Sequence, residues 1–269
     1  MKNKETKICL TIAGVDPSGG AGIIADIKTF SAFDCFATSA ITSITFQNTQ
    51  GVFGAEHQSR EAVRKQIEPI LDDYKIDALK TGMLPTLEVI DEIAEIINKN
   101  DLKNLVVDPV VRSTSGFDLI DDQALRCLIK RLFPLAKVIT PNIPEAERIS
   151  QTEIKTPDDI RKAAKIMQQL GAKNVLIKGG HLEGVTSEKA EQKIAKDYLF
   201  VEDELHIFEA EYIETTATHG TGCTLAAAIT ANLALGNSLV ESVRIAKEFV
   251  NQAIKNAPHI GKGHSPIGI

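Results

Sequence analysis

A chain of 269 residues, 43% hydrophobic and 25% charged, has the make-up of a globular protein with room for a large buried core. Its formal net charge of -6 and the lack of any Lys/Arg block argue against a nucleic-acid partner, because a polyphosphate would be repelled. Cys9, Cys35, Cys127 and Cys223 are scattered without a CxxC pair, which argues against a disulfide framework or a thiolate zinc site and for a reducing cytoplasm, and the opening apolar run is too short to span a membrane.

The first apolar run, KICLTIA, leads into the glycine-rich loop GVDPSGGAG (14–22) and then into the amphipathic stretch GIIADIKTFSAF. The loop has neither the Lys-Ser/Thr ending of a P-loop nor GxGxxG spacing, so close strand–helix packing competes with ligand binding as its reason. Asp26 follows at the edge of the stripe Ile23, Ile27 and Phe30, where the positive end of a helix would favour a carboxylate without any further role. The run ATSAITSITF ends at Gln47, whose amide offers both a donor and an acceptor to a heteroaromatic ring or to a loop.

Further on, REAVRKQIEPILDDY, IDALKTG, LEVIDEIAEIINKN, NLVVDPVV, DDQALRCLIKRLF, AKVITP, PEAERI, PDDIRKAAKIMQQLG and NVLIKGG repeat the exchange between helical spacing and short apolar runs. Val89, Ile93, Ile96 and Ile97 illustrate the helical period. This alternation predicts an α/β fold with a mostly parallel sheet covered by helices on both faces, in one domain spanning 1–269. The polar stretch 183–197 reads as an exposed loop before the strand-like YLFV and ELHIF.

Ligands of such sheets gather beyond the carboxyl ends of the strands, which is where the chemically informative residues fall. Asp108 ends LVVDP, and Asn142 and Glu145 lie in TPNIPE; these oxygen donors suit Mg²⁺ held partly through water and phosphate, or simple helix capping. Lys178 emerges after NVLI, and Lys247 falls on the apolar stripe of Val243, Val250 and Ile254, as a phosphate ligand or a snorkelling side chain. In THGTGCT, Gly220 and Gly222 allow a turn whose N–H groups converge where a helix begins, making an anion nest with Thr221. Cys223 lies at that positive end, where a thiol pKa is expected to fall. The six histidines show no metal spacing, and Met83 could line an apolar pocket or fill a core.

Seven segments, TIAGVDPSGGAGIIADIKT, QNTQGV, LKTGML, VVDPVV, TPNIPEAE, KGGH and HGTGCTLAAAI, together resemble the hydroxymethylpyrimidine kinases of thiamin biosynthesis, in the ribokinase-like superfamily, in that family's order. The resemblance implies a ribokinase-like three-layer α/β/α sandwich and phosphoryl transfer from ATP with Mg²⁺ to 4-amino-5-hydroxymethyl-2-methylpyrimidine and then to its monophosphate. It implies that Gln47 binds the pyrimidine with Asp26, Gly14, Ala21, Met83 and Val110, and that Cys223 is the base beside the nest of Gly220, Thr221 and Gly222. Lys178, Lys247 and Asn142 would meet ATP phosphates, with Mg²⁺ near Asp108 and Glu145. A homo-oligomer, most simply a dimer, is expected. Val111 with RSTSG, Phe46 before Gln47 and the tail GKGHSP depart from the family pattern and point to an altered pocket shape. A pyridoxal-type kinase would be expected to carry Gly-Thr-Gly-Asp where this chain has Cys223, and a non-catalytic pyrimidine sensor would have no need of Lys178, Glu145 and the nest.

Overall fold

A computed structural model of the protein describes residues 5–111, 118–179 and 193–269. Among them the strands are β1 (Ile8–Val15), β2 (Phe36–Asn48), β3 (Gly51–His57), β4 (Ala78–Thr81), β5 (Leu105–Val107), β6 (Val138–Ile139), β7 (Asn174–Lys178), β8 (Ile194–Val201) and β9 (Glu204–Glu211). The helices are α1 (Gly22–Ala32), α2 (Arg60–Asp73), α3 (Leu87–Lys99), α4 (Asp122–Leu132), α5 (Ile143–Ser150), α6 (Pro157–Gln169), α7 (Thr221–Ala234) and α8 (Leu239–Lys255).

Successive side chains of a strand point to opposite faces, so one apolar run serves two cores. Leu10 and Ile12 of β1, Leu79 of β4, Val107 of β5 and Ile177 of β7 join the core under α2 to α6. Their neighbours Cys9, Ala78, Val106 and Leu176 join the core under α1, α7 and α8. The outcome is a three-layer α/β/α sandwich about one nine-stranded sheet in the order β3-β2-β1-β4-β5-β6-β7-β8-β9. The strands from β2 through β7 are parallel, as the alternation predicts, while β3 at one edge and β8 and β9 at the other are antiparallel.

Two stretches differ from the sequence reading. β2 continues through Gln47 and turns back as β3, a hairpin whose GVFGAEH strand has an irregular exposure pattern and little apolar alternation. Residues 194–197, expected in a loop, are the first half of β8, because Lys196 pairs with Glu209 at 2.7 Å and Asp197 with Lys247 at 2.7 Å. The rest of that expected loop, 183–192, together with Gly180, His181 and RSTSG, lies outside the described residues.

The order of the strands fixes where a ligand can enter. The chain leaves β1 through α1 to reach β2 on one side, then crosses by α2 to β4 on the other, so a crevice opens between the carboxyl ends of β1 and β4. Over this crevice lies α7, buried along its length from Thr224 to Ala234. Ala226, Ala227 and Ala228 let it sit close to the sheet, which brings its first turn to the mouth of the crevice. Among the described residues no helix is long and apolar enough to cross a membrane.

Candidate active site

A cavity of about 470 Å³ runs across the carboxyl ends of the strands, from the β2–β3 hairpin to the groove beside α8. Gly14, Ala21, Gln47, Met83 and Val110 line one part; Asp108, Asn142, Glu145, Lys178 and residues 220–223 line the middle; Lys247 lines the far part.

The middle is built from an anion nest and a set of charges. Gly220 caps α7 with φ +88°, a left-handed conformation that favours glycine, and a Cβ there would lie 1.8 Å from the carbonyl oxygen of Gly20. The two glycine-rich loops therefore touch backbone to backbone. In the first turn of α7, Thr221 donates its N–H and its hydroxyl to Thr218 O at 3.3 and 3.0 Å and Thr224 N donates to Gly220 O at 2.9 Å. The N–H groups of Gly222 and Cys223 have no intrahelical acceptor and lie at the helix's positive end beside the cavity; Thr221, expected in the nest, therefore does not offer its amide there. A Cβ on Gly222 would come within 3.2 Å of Lys178 Nζ and 4.0 Å of Asp108 Oδ2, so the missing side chain leaves the nest open to these groups.

Lys178 Nζ donates to Asp108 Oδ1 at 3.0 Å, and Thr140 Oγ1 donates to the same oxygen at 3.0 Å. Burial opposes the charge on Asp108, yet Lys178 and Lys80 outweigh it and hold the carboxyl below its ordinary pKa. Burial likewise opposes the Lys178 ammonium, and Asp108 and Glu145 keep its pKa raised. Glu145 forms a capping box at the start of α5: its Oε2 accepts from Asn142 N at 2.8 Å while Asn142 Oδ1 accepts from Glu145 N at 2.9 Å. Burial pushes Glu145 up to about 7 against the pull of Lys178.

A family model described as phosphomethylpyrimidine kinase matches residues 16–268. The chain belongs to the phosphomethylpyrimidine kinase family. It is 43% identical over 257 residues to the hydroxymethylpyrimidine/phosphomethylpyrimidine kinase of Bacillus subtilis (strain 168), covering 96% of this chain and 92% of that one. A crystal structure of phosphomethylpyrimidine kinase from Clostridium difficile 630 superposes with a TM-score of 0.80 at 44% identity, over 93% of this chain and all (100%) of the other. The ADP complex of Bacillus subtilis pyridoxal kinase superposes with a TM-score of 0.86 at 39% identity, over 98% of this chain and 97% of that one. The sheet and helices are those of the ribokinase-like kinases, and the protein is a kinase.

Within this phosphomethylpyrimidine kinase fold, most of the residues singled out from sequence meet at the one cavity, and two besides Thr221 behave differently from expectation. Asp26 is fully buried and enclosed behind Lys80, whose Nζ donates to its Oδ2 at 2.9 Å, with Thr11 Oγ1 donating to the same oxygen at 2.6 Å. Proximity to the helix start therefore does not explain Asp26; a buried lysine does. Burial disfavours the Lys80 charge, but Asp26, Cys223 and Asp108 together raise its pKa. The Cys223 thiol is not lowered: burial pushes it up to about 11, against the opposing pull of Lys80 and a hydrogen bond from the Gly22 N–H. The helix end is a partial charge, and desolvation of the thiolate outweighs it.

Lys247 reaches the site as an ion pair, its Nζ 2.7 Å from Asp197 Oδ2, while Asp197 Oδ1 accepts from Gly179 N at 3.1 Å. Asn142 is both a helix cap and a cavity wall. Sequence reasoning passed over Asp16, Lys80 and Asp197, and gave His219 no role. Lys80 carried a signal, a charge inside the apolar run IDALKTG, which a central strand tolerates only with a partner.

Proposed function

We propose that this kinase transfers the terminal phosphoryl group of ATP to 4-amino-5-hydroxymethyl-2-methylpyrimidine and then to its monophosphate, in the cytoplasm and as a homodimer. The observation that carries the reading is the α7 amide nest, with Lys178, Asp108 and Cys223 beside it, midway along a cavity whose one end holds Gln47, Met83, Gly14, Ala21 and Val110. Phosphoryl transfer asks for positioning and charge neutralisation more than covalent help, and this arrangement supplies both. The Gln47 amide suits the ring nitrogens and exocyclic amine of an aminopyrimidine, with Met83 as an apolar floor. Asp26, enclosed as it is, would act on the pyrimidine through Lys80.

In the nest of residues 220–223 the N–H groups of Gly222 and Cys223 would receive the oxygens of the moving group, with Gly220 and Thr221 shaping the turn, and Lys178 would turn from Asp108 toward phosphate. Lys247 and Asn142 flank the path of the remaining phosphates. Asp108 Oδ2 borders Gly222, and Glu145 lies beside it with both oxygens engaged by backbone N–H groups. Among the described residues there is no cluster of three or more His, Cys, Asp or Glu able to cage a metal, so the donor set suits Mg²⁺ that keeps water and phosphate as most of its ligands. When bound, Mg²⁺ would offset the charge of the phosphate oxygens.

Cys223 is the proton acceptor for the alcohol in this reading. Because burial pushes the thiol up to about 11, it has to give up its own proton before it can accept one from the alcohol. Cys223→Ala should lower kcat about a hundredfold, in line with loss of one placed catalytic group, while the pyrimidine KM stays within about threefold. Cys223→Asp should retain part of the activity. The assay is product formation from Mg-ATP and the alcohol, followed by mass; equal kcat for Cys223→Ala and the parent would remove the thiol from the mechanism. Pyridoxine serves as the competing alcohol, and a higher kcat/KM for it would reverse the choice of substrate.

A further inference from the structure

His219 heads the nest and belongs to no role assigned above, yet its setting is specified from three sides. Its Nε2 lies 2.7 Å from Asp16 Oδ2, with side-chain exposures of 13% and 4%. Asp16 is in turn the hub of the first glycine loop: Oδ1 accepts from the N–H and hydroxyl of Ser18 at 2.8 and 2.7 Å, and Oδ2 from the N–H groups of Gly20 and Ala21 at 3.2 and 2.9 Å. The imidazole thus ties that loop to the start of α7.

The backbone of His219 is held as well. Its N–H donates to Ser265 O at 3.2 Å and its carbonyl accepts from Ile267 N at 3.4 Å, so the tail runs alongside it. The ring lies flush against the other loop: a Cβ on Gly20 would fall 2.4 Å from His219 Cδ2. Ala21, at the pyrimidine end of the cavity, and Cys223, at the nest, are therefore joined by a short chain of contacts through Asp16 and His219.

We propose that His219 is a positioning residue for phosphoryl transfer: by bonding Asp16 it sets the amide nest at a fixed distance from the bound alcohol. The proposal rests on the function proposed above. Its physical basis is that an error of about 1 Å in the placement of reacting groups can cost on the order of a hundredfold in rate while leaving binding nearly intact. The ring touches no reacting atom in this scheme; it works through Gly220 and the residues that follow.

His219→Gln and His219→Met separate this role from simple packing. The two replacements are matched in length, and only glutamine carries an N–H that can reach Asp16 where Nε2 does. Measured at saturating Mg-ATP with the hydroxymethylpyrimidine, His219→Met should lower kcat about 10- to 100-fold with KM within about twofold, and His219→Gln should return kcat to within about threefold of the parent. Melting temperatures taken alongside should not track the kcat loss. Should the methionine variant fail to fold, His219→Asn, whose amide stops short of Asp16, takes its place in the same comparison. The proposal is overturned if the variant without the bond keeps parental kcat, if glutamine restores nothing, or if the loss lies in KM. A parent enzyme that phosphorylates neither pyrimidine nor pyridoxine would instead defeat the functional reading, and this one with it.

Discussion

Two lysine–aspartate pairs stand behind the same cavity and differ in how completely the protein encloses them. Lys80 and Asp26 meet at 2.9 Å with both side chains at 0% exposure, whereas Lys178 and Asp108 meet at 3.0 Å with Lys178 at 15%. In the closed pair Lys80 and Thr11 both donate to Asp26 Oδ2, so the carboxylate is held inside the fold, and the two charges shape the field at Cys223. An open pair can exchange one partner for a ligand, and under the proposed function Lys178 would trade a carboxylate for a phosphate. Similar distances thus conceal different work, and enclosure tells them apart.

The comparison breaks most readily at the closed pair. Lys80→Met takes away the counter-charge of Asp26 in the core and leaves Thr11 Oγ1 as the donor to its Oδ2, which should cost about 3–5 kcal/mol of unfolding free energy by denaturant titration. The double replacement Lys80→Met with Asp26→Asn should recover at least half of that, since neither charge remains to be desolvated. A loss under about 1 kcal/mol for the single change would mean that water reaches the pair, and the distinction would fail.

Lys178→Met should act the other way round, lowering kcat about a hundredfold, comparable to removing one preorganised electrostatic group, with a smaller loss of stability than Lys80→Met. If both variants lose stability alike and Lys178→Met turns over normally, the open pair is structural too.

The smallest effect sharpens the contrast with a carboxylate paired to a histidine. Asp16 is lowered from its ordinary range to about 2, with burial opposing and the hydrogen bonds from His219 and Ser18 prevailing. A carboxyl lowered on folding stabilises the protein above its unfolded pKa and loses that contribution as the pH falls through its folded value. Between about pH 4 and pH 2 the parent should therefore shed roughly 1–2 kcal/mol that Asp16→Asn, already lacking it at neutral pH, does not shed. Parallel acid limbs for the two proteins in pH-dependent denaturation would show that Asp16 is not held ionised by these donors.

The sheet and its two helical layers were legible in the sequence because alternation within short runs and helical spacing between them are local signals. The rule that ligands gather at strand ends placed Asp108, Lys178, Gln47 and the nest together. What escaped was long-range pairing: Lys80 meets Asp26 across 54 positions, and His219 meets Asp16 across 203. Charge also concealed structure, since Lys196 and Asp197 look like loop residues until Glu209 and Lys247 are seen to complete them. The β3 strand was hidden by its glycines and its weak alternation. The expectation for Cys223 failed for a physical reason, because reasoning from a helix end includes the attraction and leaves out the loss of water.

The row of alanines in α7 has a consequence for how freely this gene can vary. Swapping Ala227 for valine would lift the helix from the strands beneath it and carry the amides at its tip away from the crevice, although Ala227 does not itself line the cavity. In a scan of tolerated substitutions this stretch would look as constrained as the residues that line the cavity, a fingerprint of leverage and not of chemistry.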